Sequence, residues 1–254
     1  MSLPPDVLDH TFSFLQSDPV TLKACAKTHP MLSQIVERHF YAHITLHDDN
    51  SVDERGLATA EFFKHLSDKS YIVNYVRTLE IKLKGVSLGV GTVNLDRISI
   101  ILPMLQRLEE ITLVGPCVWA VLPKSFRRVF LDCLHLHSMK GLCIELVHDF
   151  PLASLNDCNT IETLTLCHGG WAPDEMDALE NVRCLALRSL TVQNCSEGLL
   201  RALVLWGQLR GLRTLKYDLC WSNFTLLSQL IEGCSSSLTS LNIDFGCSCA
   251  FHLR

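Results

Sequence analysis

The apolar positions of this chain fall into one repeated frame, apolar-x-x-apolar-x-apolar. It occurs at Val76/Leu79/Ile81, Leu108/Ile111/Leu113, Met139/Leu142/Ile144, Ile161/Leu164/Leu166, Leu187/Leu190/Val192, Leu212/Leu215/Tyr217 and Leu238/Leu241/Ile243. A strand sends alternate residues to opposite faces, so the last two apolar positions of each frame point to one side and the residues beside them to the other. Helical spacing predicts an outer segment between many of the frames: Leu95/Ile98/Leu102/Leu105, interrupted at Pro103, and Phe126/Val129/Phe130/Leu134 behind Pro123. Two more are Leu199/Leu200/Leu203/Val204, between Ser196 and Gly207, and Leu226/Leu227/Leu230/Ile231, between Ser222 and Gly233. Ser before and Gly after are helix start and stop signals. Leu57, Ala60, Phe63 and Lys64 predict one further helix after the acidic loop 48–55.

The middle positions of successive frames are 32, 31, 22, 26, 25 and 26 residues apart. Steps in the twenties are the period of leucine-rich repeats, in which each unit is a short strand and a returning helix or turn. The step from Leu142 to Leu164 is too short for a good helix, and Pro151 to Asp157 is expected to cross as a turn. One unit cannot bury its apolar face alone, whereas stacked units can. The predicted architecture is α/β, a leucine-rich-repeat solenoid over residues 44–254 with a curved parallel sheet and outer helices.

Residues 1–43 follow a different rule. Val7, Leu8, Thr11, Phe12 and Leu15 share one helical face; Asp18-Pro19 supplies an N-cap and first-turn Pro for a second helix with Leu22, Cys25 and Ala26. Leu32, Ile35, Val36, His39 and Phe40 stripe a third, which runs into a strand-like Ile44-Thr45-Leu46. Three short helices in this length are too few to fold well alone, so they are expected to dock on the repeats or on a partner.

This stretch resembles an F-box of the fungal type. The resemblance rests on the opening Leu3-Pro4-Pro5-Asp6-Val7-Leu8, the Phe14-Leu15 ending the first helix, Asp18-Pro19, and Leu22-Lys23-Ala24-Cys25. It continues through Arg38-His39-Phe40 to Ile44-Thr45-Leu46 and into Asn74-Tyr75-Val76-Arg77-Thr78-Leu79. It implies a substrate-recognition subunit of a Skp-cullin-F-box ubiquitin ligase, not itself an enzyme. Leu3, Pro4, Val7, Leu8, Phe12, Leu22 and Leu32 would contact a Skp-type adaptor, which joins a cullin, and the repeats would hold a target protein. Thr28-His29 and Leu32 stand where the family has a Val-Ser or Val-Cys pair and then an aromatic. A repeat scaffold whose degenerate F-box has no ligase role therefore stays open as the alternative.

Charge and composition narrow the partners. A formal net charge of -5 without a Lys/Arg cluster argues against nucleic acid. No apolar run reaches a membrane span, and Asp6 and Asp9 stand where a signal peptide would be basic, so a cytoplasmic or nuclear location is expected. The sequons at Asn194 and Asn223 then read as chance matches. The 12 Cys form no C-x-x-C pair, so neither metal nor cofactor is expected. Cys195 and Cys220 fall where such repeats use Asn or Cys to serve a turn, and the others read as small buried hydrophobes.

Gly85-Val86-Ser87-Leu88-Gly89 matches a nucleophile-elbow pattern, and His168-Gly169-Gly170 an oxyanion loop. Their order along the chain is reversed, and Val90-Gly91-Thr92 is a poor helix opening, so Ser87 is not expected to be catalytic. The strand positions facing away from the core are the better candidates. Glu80, Glu110, Glu145, Thr165, Thr191, Lys216 and Asn242 are expected on a mildly acidic concave face that binds a partner, with Trp119, Trp171, Trp206 and Trp221 at its rim. The last frame, Leu238/Leu241/Ile243, is followed by a segment too short and too apolar to cap it, so a partner, self-association or fraying is expected there.

Overall fold

The computed structural model describes residues 4–15, 18–49, 51–53, 57–84, 93–155, 158–169, 187–194, 197–205, 209–218 and 224–244. Eight parallel strands pair in strict sequence order: β1 (His43–His47), β2 (Thr78–Lys82), β3 (Glu110–Val118), β4 (Gly141–His148), β5 (Thr163–Cys167), β6 (Ser189–Gln193), β7 (Thr214–Asp218) and β8 (Ser240–Asp244). A parallel neighbour must be reached by a crossover. Among the described residues five helices provide such segments: α4 (Thr59–Asp68), α5 (Val93–Ile101), α6 (Lys124–Leu134), α7 (Glu197–Leu205) and α8 (Phe224–Cys234). Among the described residues, the short step after β4 carries a 3-10 turn, Leu152–Leu155. The result is an eight-stranded α/β sheet with helices, compatible with a curved solenoid. The last two positions of all seven frames lie on strands, and Tyr41/Ile44/Leu46 makes an eighth frame whose register places Ile44 beside Leu79 and Leu46 beside Ile81.

The inward pair of each strand builds the core. Across β1 to β7 these side chains are no more than 4% exposed, from Ile44 and Leu46 to Leu215 and Tyr217. Phe62, Leu66, Leu95, Ile98, Phe126, Phe130, Leu199, Leu203, Leu227 and Leu230 on the helices close against them in one cluster. The α4 face is centred differently from the periodicity read in the sequence: Thr59, Phe62 and Leu66 are buried, whereas Leu57 and Phe63 pack partly buried at its edge and Lys64 is exposed. The Thr59 hydroxyl sets this phase by accepting from the His47 amide and donating to the His47 carbonyl, each at 2.8 Å. At the other end, Gly233 lies inside α8, which runs to Cys234, and does not stop it.

Trp119 also departs from its expected place. It is 5% exposed and lies in the core, not at the rim. β3 runs on to Val118, past the frame, and the 3-10 turn Trp119–Val121 packs the indole against Phe150 (4.9 Å between ring centroids) and Phe130 (5.6 Å). The β3–β4 pair has a bulge here, Gly115 and Pro116 facing the single Leu146. Gly115 has φ +148°, and a Cβ on it would lie 2.1 Å from the Leu83 carbonyl oxygen, so no other residue fits without moving the chain.

The residue just before each strand is charged in six successive units: Arg77, Glu109, Lys140, Glu162, Arg188 and Arg213. Their backbones pass hydrogen bonds along the row, each amide donating to the preceding member's carbonyl at 2.7–2.8 Å. Side chains pair between neighbours, Glu109 with Arg77 (3.4 Å) and Lys140 (3.2 Å), and Glu162 with Arg188 (3.5 Å). Exposed pairs contribute at most about 1 kcal/mol each, so this column opposes strand misregistration more than it stabilises the fold.

The N-terminal helices α1 (Pro5–Ser13), α2 (Pro19–Ala26) and α3 (Pro30–Ala42) form a unit with its own small core of Phe12, Leu22, Ile35 and Val36. Each helix opens on Pro; Asp18 caps α2 by accepting from the Thr21 amide at 3.0 Å, and His29 Nδ1 caps α3 by accepting from the Met31 amide at 3.1 Å. The Asp9 carboxylate reaches His39 Nε2 at 3.1 Å and ties α1 to α3. α3 passes into β1 with no intervening loop, and its last turn places Tyr41 in the sheet core.

Two measurements check this packing. Phe130→Ala should lower the unfolding free energy by about 3–5 kcal/mol, because it empties the centre of the Trp119/Phe126/Phe150 cluster; a loss below about 1 kcal/mol in urea melts would contradict it. In β8, Leu241 is 45% exposed, whereas its register partner Leu215 is fully buried. Amide exchange at Leu241–Ile243 should therefore outpace that at Leu190–Val192, and equal protection would mean that the outer side of β8 is covered.

Candidate functional site

Two surfaces collect the residues singled out in the sequence. On the helical unit, Leu3 lies outside the described residues, and Pro4 is exposed as the N-cap of α1. Val7 is 43% exposed. Phe12 and Leu22 are instead 5% and 1% exposed, and Leu8 and Leu32 pack half-buried against them. With so few residues available to build a core, the strongest hydrophobes of the three helices are consumed in holding the unit together.

Other apolar side chains take the outside. Phe14 is 72% exposed, Val20 76% and Met31 39%. Val7 and Phe14 are seven residues apart, two helical turns, and so lie on the same side of α1. His10 lies between them with its ring edge-on to Phe14 at 5.0 Å. That spacing was available in the sequence but is masked there by the stronger Leu8/Phe12/Leu15 stripe beside it.

The second surface is the strand face opposite the helices. Register places Thr45, Glu80, Thr112, Cys143, Thr165, Thr191, Lys216 and Asn242 in one row across all eight strands. Glu110 belongs to the row on one side and Glu145 to the row on the other, so the proposed contact residues are spread over three rows. The acidity is partly spent within the face. Glu80 accepts from the Thr45 hydroxyl at 3.0 Å and pairs with Lys82 at 3.1 Å, and the Glu110 chain lies over Gly141. Small Thr, Ser, Gly and Cys side chains dominate the rest of the face.

The described residues contain no group of three or more His, Cys, Asp or Glu able to hold a metal ion, and no helix long and apolar enough to cross a membrane. Ser87, Cys195, Cys220, Trp171, Trp206 and Trp221 lie outside them. Burial pushes the Cys133 thiol up to about 12 and those of Cys117 and Cys143 up to about 11, each helped by a nearby carboxylate. A thiol held protonated is a poor nucleophile. At pH 8 the native protein should alkylate with iodoacetamide at Cys117 and Cys133 only after unfolding, as mass spectrometry of the labelled peptides can show; rapid native labelling would contradict their burial.

No family model matches the chain, and no curated protein matches it.

Proposed function

We propose that the chain is a substrate-recognition subunit of a Skp-cullin-F-box ubiquitin ligase, acting in the cytoplasm or nucleus. The observation that carries this reading is the helical unit: its sequence resembles the F-box, it has a core separate from that of the sheet, and it keeps Val7, Phe14, Val20 and Met31 exposed. Exposed large side chains on so small a unit are the kind of apolar surface that partners cover. In this reading Val7 on α1 and Phe14 at its C-cap meet the adaptor, and the open strand face or its margins hold the target. The chain would then contribute no catalytic group. It would raise the local concentration of a target lysine beside a thioester carried by another protein.

Co-purification with a Skp-type adaptor tests it. The wild-type chain should capture the adaptor under conditions where an established F-box protein does. Val7→Asp with Phe14→Asp should abolish capture by placing unpaired charges in an apolar contact, while thermal unfolding stays unchanged. Leu8→Asp is a poorer probe, because Leu8 also packs on Phe12 and its neighbours. Failure of the wild type to capture any adaptor would leave the repeat-scaffold reading in its place.

A further inference from the structure

A polar cleft of about 730 Å³ opens where the helical unit meets the first strands, between α3, the 3-10 turn Ser70–Asn74 and the turn that leads into β3. Three guanidinium groups line it, those of Arg38, Arg77 and Arg107. The single carboxylate among its lining residues, Glu37, is already occupied: it accepts from the Tyr71 hydroxyl at 2.8 Å and pairs with Lys69. In a chain of net charge -5, this is a local concentration of positive charge.

The arginines are held to different degrees. Arg77 is fixed, its Nη1 donating to the carbonyls of Asn74 (2.9 Å) and Arg107 (3.4 Å) and its Nε facing Glu109 at 3.4 Å. Arg38 keeps only a loose 3.8 Å contact with Asp9, both side chains about half exposed. The Arg107 guanidinium has no hydrogen-bond or ion-pair partner among the described residues. One anchored and two available guanidinium groups match a planar or tetrahedral oxyanion, which takes paired N–H donors.

The remaining lining identifies what carries that anion. Tyr71 and Tyr75 stand edge to face at 5.8 Å and form an amphipathic wall, while the Gln34 and Asn74 amides can both donate to and accept from a peptide main chain. A nucleic acid would need basic residues continuing along its backbone, but Glu37 and Glu109 flank the cleft instead. We propose that this cleft binds an extended peptide segment bearing an oxyanion, with Arg38 and Arg107 closing on the anion beside Arg77. The site is separate from the α1 surface and does not depend on adaptor binding.

Fluorescence anisotropy with the full chain tests the proposal, using three labelled short peptides: one rich in Glu, one with phosphoserine at the same positions, and one with Gln. At least one anionic peptide should bind and the Gln peptide should not; which anionic peptide binds more tightly distinguishes a carboxylate from a phosphate source. Arg107→Glu together with Arg38→Gln should weaken binding about tenfold or more, with thermal unfolding and adaptor capture unchanged. Arg128→Glu, on the exposed side of α6, should have no effect. The proposal is overturned if neither anionic peptide binds better than the Gln peptide, if the cleft variants bind as the wild type does, or if Arg128→Glu weakens binding equally. Preferential binding of a single-stranded RNA oligonucleotide that is lost in the cleft variants would overturn the peptide assignment.

Discussion

The structure depends on a ladder of apolar pairs in register across parallel strands. All-parallel sheets usually have both faces covered and read as continuous hydrophobic runs. Here a helix layer packs on one face, and β2, β3, β6 and β7 alternate, as in β2, where Leu79 and Ile81 are buried between half-exposed Thr78, Glu80 and Lys82. Every unit must therefore place two residues of suitable size at the same height as its neighbours, and a slip of one position would put Thr and Glu into the core. The bulge at Gly115 and Pro116 falls beyond the shared five-residue register, where it can lengthen β3 and β4 without disturbing the ladder.

Two devices hold that register outside the core. Backbone hydrogen bonds along the pre-strand row continue the sheet by one residue, and alternating charges from Arg77 to Arg188 penalise a unit paired with the wrong neighbour. The row ends its alternation at Arg188 and Arg213, adjacent and of one sign. The same row contributes Arg77 to the cleft beside α3, so a residue that fixes register at the start of β2 also fixes the geometry of the cleft.

The strand ladder was legible in the sequence because its period is long, repeated and carried by residues that do nothing else. The phase of α4 was not, because a buried hydroxyl on Thr59, bonded to the backbone of His47, decides it, and hydropathy is blind to that bond. Trp119 was misplaced for a related reason: the frame gives where a strand begins to face the core and not where it ends, and β3 runs past its frame. The division of the helical unit into an inner set, Phe12 and Leu22, and an outer set, Phe14 and Val20, needs the packing of three helices, since all four are simply hydrophobic in sequence. The cleft joins residues from positions 34 to 107, and no local pattern marks them as neighbours.

The two ends of the described sheet are not equivalent, and the difference bears on how the helical unit is attached. At β1 the inward pair, Ile44 and Leu46, is 1% exposed, because Tyr41 at the end of α3 and Phe62 on α4 close over it. The equivalent Leu241 in β8 is 45% exposed. Solenoids need a terminal element to shield the last apolar layer, and at the β1 end that element is the last turn of α3 itself. The helix that seals the core at Tyr41 also carries Ile35 and Val36 of the small unit's own core, so two hydrophobic clusters share one continuous segment. The helical unit is thereby tied to the sheet through packing and through the Glu37 bonds to Lys69 and Tyr71, so its orientation relative to the strand face follows from burial and not from a linker.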